Sequence, residues 1–448
     1  MLHLAPASTG SLIALVFCFV LVCVFEFANG FHDTANAVAT VIYTNSLKPR
    51  IAVVWSGLMN FLGVLLGGIA VAYGLVEILP PDVLSPPNGF PAVPMLVSLF
   101  GTALAWNILT WWFGIPNSSS HCVIGALVGI AVGDAFIHAR GLNHSVDWSQ
   151  IYHVLSGLIV SPILGLVLAL IAYMILRAVV KMPALYRPPA GGEAPHPVVR
   201  GLLILTCTAV SFSHGSNDGQ KSIGLIMLTI IGLMPGTFAL NPDHHVDRTH
   251  LAADAAAARP LVAEFDTYNY RADAIASIDR LSSATPLMPS EVRGDVYQVV
   301  SALRSVASNP AASGAVKAQA RHITADLRPN VEYAPVWVRA LSALCLGLGT
   351  MIGYKRIVRT LGEGIGKTHL TPAQGATSEL VGAGLIMTAS HTGLPVSTTH
   401  VITSAVAGTM IGAGSGINTK TLARIGLAWV FTLPATIIGA AALFYLLD

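Results

Sequence analysis

Apolar residues gather in ten stretches long enough to cross a bilayer, which takes roughly 17–25 residues of helix. Five lie at 11–44, 51–74, 94–113, 118–138 and 151–176, and five at 201–236, 335–353, 373–392, 397–413 and 422–447. The pattern predicts an all-α polytopic membrane protein. The first stretch of each set is overlong, at 34 and 36 residues, and each carries a polar Gly/Asp motif in its interior. Such stretches are expected to be broken helices or pairs of shorter segments, for a total of 10–12 transmembrane segments.

Loop charge sets the orientation. Lys48 and Arg50, then Arg177, Lys181, Arg187 and Arg200, then Lys355, Arg356, Arg359 and Lys367, and finally Lys420 and Arg424 fall in alternate loops. The segment at 75–93 has Glu77 and Asp82 but no Lys or Arg. With the basic loops in the cytoplasm, ten crossings alternate and both termini lie outside. Five crossings per half is an odd number, so the halves are expected to be inverted-topology repeats. With interrupted helices, that points to a secondary transporter whose site lies near the midplane.

One insertion separates the halves in length. Asp33 to Ser118 spans 85 residues, whereas Asp218 to Ser397 spans 179. The surplus matches a polar stretch at 237–332, where Ile275, Ile278 and Leu281, and then Val292, Val296, Val299 and Leu303, recur at helical spacing. The expected division is a first membrane repeat at 1–200, the start of the second at 201–236, a small helical extramembrane insert at 237–332, and the rest of the second repeat at 333–448.

Composition narrows the class. Hydrophobic residues make up 54% and charged residues 10%, against roughly 25% charged in soluble domains. A net charge of +2 argues neither for a nucleic-acid partner nor for an acidic one, and no nucleic-acid partner is expected. Cys18, Cys23, Cys122, Cys207 and Cys345 all lie in apolar stretches without C-x-x-C spacing, and read as apolar filler. No Lys or Arg precedes the first apolar run, so it reads as a retained span and not a signal peptide. The chain has no H-E-x-x-H, G-x-x-x-x-G-K-[ST] or G-x-S-x-G motif, which speaks against an enzyme or ATP-driven pump.

The candidate chemistry is duplicated. One motif pair is G-F-H-D-T-A-N (Gly30 to Asn36) and G-S-N-D-G-Q-K (Gly215 to Lys221); the other is G-I-P-N-S-S-S-H (Gly114 to His121) and G-L-P-V-S-T-T-H (Gly393 to His400). A carboxylate at membrane depth costs at least about 2.5–3.5 kcal/mol, so two retained ones mark a functional site by default. Asp33, Asp218, the Asn36 amide and unwound carbonyls near Gly30 and Gly215 would be hard oxygen ligands for Na⁺, a proton or a divalent metal. The plainer alternative is a structural carboxylate, with Lys221 three residues from Asp218. His32 and Asn36 stand in the first copy where Asn217 and Lys221 stand in the second. Lys221 brings a fixed charge, and His32 a group that titrates near neutrality.

In the second pair, Pro116 and Pro395 break the backbone, and Ser118, Ser119 and Ser120, or Ser397, Thr398 and Thr399, follow at helix-start positions. Two half-helix N-termini converging on a small oxyanion is one reading. A Pro-kinked helix whose hydroxyls bond their own backbone is the other. His121 and His400 are ligands, proton carriers or simply packed histidines; His214 and His391 are weaker candidates. Glu26 and Glu379 are intramembrane acids with no evident partner, and Trp106, Trp111 and Trp112 read as interfacial anchors.

At these residues the chain resembles the inorganic phosphate transporter (PiT) family, with its doubled G-A-N-D-V-A-N-A motif, and within it the bacterial low-affinity permeases of the PitA-like branch. The likeness runs over both membrane halves and is weakest in the 237–332 insert. The resemblance implies a bacterial inner-membrane symporter of inorganic phosphate, proton-driven in this branch and Na⁺-driven in others. The cargo it implies is a neutral complex of phosphate with Mg²⁺, Ca²⁺ or Zn²⁺, a co-substrate and not a resident cofactor. By motif match, Asp33, Asn36 and Asp218 would line cation sites near which the metal would lie. Ser118, Ser119, Ser397, Thr398 and Thr399 would hold phosphate. Lys221 departs from the family Asn and favours proton coupling. Arsenate is an expected competitor, and a homo-oligomer is possible. The alternatives are a Na⁺-coupled symporter and a passive anion channel.

Overall fold

A computed structural model describes residues 9–79, 92–138, 148–188, 194–244, 247–266, 271–283, 285–352, 354–355, 357–358 and 365–448. Asp82, Arg356 and Arg359 lie outside them. The first half contains α1 (Thr9–Tyr43), α2 (Pro49–Leu66), α3 (Ala70–Val76), α4 (Ala92–Trp112), α5 (Ser119–Ile137) and α6 (Trp148–Val179). The second begins with α7 (Pro197–Leu233). The polar stretch forms α8 (Arg248–Phe265), α9 (Arg271–Ser282), α10 (Pro289–Ser308) and α11 (Gly314–Leu327). The chain ends with α12 (Val336–Thr350), α13 (Pro372–Thr392), α14 (Thr398–Ala413) and α15 (Thr419–Leu447). Among the described residues the only β pairing is a single bridge, Gly366 to Ile417.

A helix falls on every expected apolar stretch, and seven of those described are long and apolar enough to cross a membrane. The outer faces are apolar: Val16, Phe17 and Val20 on α1, Val167 and Ile171 on α6, and Val430, Phe431 and Ile438 on α15 are all exposed. The interior, by contrast, holds buried Glu26, Asp33, His214, Asp218, Lys221 and Glu379. Apolar outside and ionisable inside is the arrangement expected of a multi-pass membrane protein in lipid.

The halves interleave. α5 packs on α15 and α14 on α6; α7 packs on α2 and α1 on α12. Each of these contacts joins a helix of one half to a helix of the other. The central helices α5 and α14 are consequently buried along most of their length.

The expected interruption at the Gly/Asp motifs is not found. α1 and α7 run as continuous helices through Gly30–Asn36 and Gly215–Lys221, and the carbonyls there are not unwound. The glycines serve helix packing. A Cβ at Gly30 would strike the Leu346 carbonyl and the backbone of Thr350 on α12, and one at Gly215 would strike the Asn60 backbone on α2. Small residues let membrane helices approach to backbone contact. The breaks occur at the other motif pair. Gly114 and Gly393 adopt φ of 64° and 73°, left-handed values that end α4 and α13, with a proline two residues on.

In the polar stretch, Ile278, Leu281, Val292, Val296, Val299 and Leu303 are buried among the four helices, as their spacing predicts. The segment leading from this unit into α12 is held by Tyr73 of α3, whose hydroxyl donates to the Tyr333 carbonyl at 2.6 Å and accepts from the Tyr333 N–H at 2.9 Å.

Candidate transport site

Both Pro-containing turns end in a capped helix. Ser118 accepts from the His121 backbone N–H at 3.2 Å, and Ser397 accepts from the His400 N–H at 3.2 Å. These two hydroxyls therefore hold the N-termini of α5 and α14, a standard N-cap. The two ends meet. The rings of His121 and His400 lie 4.4 Å apart, and His400 stacks on Trp429 at 3.8 Å.

The Gly/Asp motifs place their polar groups by helical spacing. Residues three apart share a face. The Asn36 amide thus donates to Asp33 Oδ1 at 2.8 Å, and Lys221 Nζ to Asp218 Oδ1 at 2.7 Å, the same contact in both copies. Each motif then reaches the cap segment of the opposite half. Thr399 donates to Asp33 Oδ1 and accepts from Asn36 at 3.1 Å, and Thr398 lies 3.4 Å from Asp33. Correspondingly, Lys221 donates to Ser120 Oγ at 2.5 Å and to the Val396 carbonyl at 2.9 Å. Ser119 and Thr398 are buried beside these contacts.

The two carboxylates converge on a histidine that sequence reasoning ranked low. His214 Nε2 lies 3.4 Å from Asp33 Oδ2 and 3.4 Å from Asp218 Oδ2. The signal was present, since His214 stands four residues before Asp218 on the same face; nothing local indicated that Asp33 would complete the group. Asn60 fixes the ring. Its amide donates to the Ser56 carbonyl at 2.9 Å, so its Oδ1 faces His214 Nδ1 at 2.5 Å and requires a proton on Nδ1. Nε2 then faces two carboxylate oxygens, a mutually repulsive set unless a proton or metal ion lies among them. One imidazole nitrogen and two carboxylates, all within 4.8 Å, also form a donor set that suits a divalent metal.

Other proposed residues lie apart from this group. His32 Nε2 bonds the Asn107 carbonyl at 2.6 Å, and its ring stacks on Phe31. Asn217 is fully buried with both amide atoms unpartnered by protein, as are Asn36 Oδ1 and His400 Nε2. Glu26 and Glu379 do have partners: Glu26 contacts Asn29 at 3.5 Å, and Glu379 accepts from Thr206 at 2.6 Å.

Interleaved apolar helices around a buried carboxylate–histidine centre are the build of a multi-pass membrane protein with a functional site in its interior. A family model described as the phosphate transporter family matches residues 29–440, and the chain belongs to that family. The low-affinity inorganic phosphate transporter PitA of Escherichia coli (strain K12) is 38% identical, with 100% of this chain and 99% of that protein aligned. PitB of the same organism is also 38% identical, over 98% and 97% of the two chains. A probable low-affinity inorganic phosphate transporter of Bacillus subtilis (strain 168) is 29% identical over 97% and 98%. A solved structure, the sodium-dependent phosphate transporter, shares the fold with a TM-score of 0.57 at 19% identity, covering 97% of this chain and 99% of its own.

Proposed function

We propose that the chain is a secondary active importer of inorganic phosphate in a bacterial inner membrane, coupled to protons and accepting phosphate as a neutral complex with a divalent metal. The observation that carries this reading is the meeting of Asp33 and Asp218, one from each half, on either side of His214 Nε2. With Nδ1 held as a donor by Asn60, that space demands positive charge, which a coupling proton or the metal of the cargo supplies. Phosphate then has the N-termini of α5 and α14 beside the cation, with the hydroxyls of Ser119 and Thr398 within reach. Ser118, Ser397, Ser120 and Thr399 act by holding those ends and the two aspartates in place. Neutralising the anion and the carboxylates together lowers the cost of carrying them through a low-dielectric interior.

Lys221 favours a proton over Na⁺. Its ammonium already occupies Asp218 Oδ1, Ser120 and Val396, where a second small cation would otherwise coordinate. The fold shared with a sodium-dependent transporter keeps the Na⁺ symporter as the second reading. His214→Gln decides whether the centre works as described. Phosphate uptake in cells, normalised to protein in the membrane, is expected to fall to background, and wild-type uptake by this variant would overturn the assignment. Arsenate, of the same shape and charge, is expected to compete in the same assay.

A further inference from the structure

Glu26 is a fully buried acid that stands apart from the transport centre. It precedes Asp33 by seven residues on α1, so the two share a face two turns, or roughly 10 Å, apart. α7 runs antiparallel alongside. His214, Asp218 and Ser222 follow at four-residue spacing on one of its faces. His214 meets Asp33, and Ser222 hydrogen-bonds the Glu26 carboxyl. The α1–α7 seam therefore carries a third acid in line with the two aspartates, on the side of the α1 N-terminus.

Among the described residues no Lys or Arg is bonded to this carboxyl. Asn29 contacts Oε2 at 3.5 Å, and Oε1 has no hydrogen-bond partner. The ionisable groups in electrostatic reach are Asp218 and His214 of α7 and the Cys345 thiol of α12. Nearby cations are committed elsewhere: Lys221 to Asp218, and Arg339 of α12 to the Ala334 and Gly67 carbonyls. α4, packed here through Phe100 on Phe25, has no ionisable side chain. Arg50 of α2 is exposed, Glu379 of α13 bonds Thr206, and His400 of α14 stacks on Trp429. Asp218 is locked to its counter-ion, whereas Glu26 is free to give up and regain a proton as the charge at the centre changes.

We propose that Glu26 is a proton relay on the outer side of the centre, passing the coupling proton inward along the α1–α7 seam past Ser222. The inference rests on proton coupling and on the α1 N-terminus lying outside. In each cycle the Glu26 O–H breaks, its proton is taken up between His214 Nε2 and the two aspartates, and the carboxylate is recharged from outside. A purely structural Glu26 would hold Asn29 and Ser222 in place and nothing more.

Glu26→Gln separates the two roles, because the amide keeps the size and the hydrogen bonds but cannot release a proton. Two rates are measured in proteoliposomes. One is net phosphate accumulation under an inward proton gradient; the other is exchange of internal for external labelled phosphate, with equal phosphate and pH on both sides. In exchange the loaded centre keeps its proton in both directions, so no relay step is needed. Glu26→Gln is expected to lose accumulation and retain exchange at the parent's rate. Glu26→Asp, which restores a titrating carboxyl, is expected to recover accumulation with an altered dependence on external pH. Ser222→Ala is expected to slow accumulation and spare exchange. Loss of both rates together in Glu26→Gln, or parental values for both, overturns the relay. A parent that accumulates phosphate only on a Na⁺ gradient overturns instead the reading on which the proposal rests.

Discussion

The two half-sites share one plan and differ most in charge, Asn36 standing in one where Lys221 stands in the other. In the first, Asp33 is held by neutral donors: Asn36, Thr398 and Thr399. In the second, Asp218 is held by the ammonium of Lys221, which also ties down Ser120 and the Val396 carbonyl. The first keeps an uncompensated negative charge facing His214, and the second is neutral as it stands. Two carboxylates in matching places thus carry different duties. Asp218 forms a fixed ion pair that braces the turns of both halves, and the function proposed above gives Asp33 the task of responding to an arriving proton or cation.

The sharpest break in that comparison comes from neutralising each aspartate. Asp218→Asn strands a buried Lys221, and losing one partner of a buried pair costs roughly 3–5 kcal/mol. Both transport and thermal stability in detergent are expected to fall. Asp33→Asn leaves no stranded charge, so uptake should be abolished while the melting temperature stays near that of the parent. Equal stability losses in the two variants would show that the half-sites do not divide their work in this way.

Lys221→Asn makes the second half-site resemble the first, and its expected effect is intermediate. Proton-driven uptake should drop and sensitivity to external Na⁺ should emerge, because a second carboxylate then lacks a fixed counter-ion. Uptake profiled against pH and Na⁺ in mutant and parent is the check; an unchanged pH profile removes Lys221 from the coupling mechanism.

The smallest effects are expected at the caps. Ser118→Ala and Ser397→Ala each remove an N-cap, worth about 0.5–2 kcal/mol of stability. Both should lower the melting temperature more clearly than they weaken phosphate competition. A large loss of apparent phosphate affinity with unchanged stability would instead return these two hydroxyls to direct contact with the anion.

What could be read before any coordinates follows from locality. The ten apolar stretches, the doubling of both motifs and the Asp218–Lys221 pairing depend on residues close in sequence, and helical spacing supplies the geometry. The glycines were misread because Gly inside an apolar run signals a break or a close crossing equally well. Only the Leu346 carbonyl facing Gly30 and the Asn60 backbone facing Gly215 show that both are crossings. His214 was undervalued for the complementary reason, since its partner Asp33 lies on another helix in the other half and no periodicity links them.

The central claim is that a proton gradient drives phosphate uphill through the Asp33–His214–Asp218 centre. The direct measurement is phosphate accumulation in proteoliposomes under an inward proton gradient, with Mg²⁺ present and Na⁺ absent. The account predicts internal phosphate above the external level for the parent, and no accumulation for His214→Gln reconstituted at equal density. Accumulation that requires a Na⁺ gradient, or phosphate that only equilibrates, would contradict it.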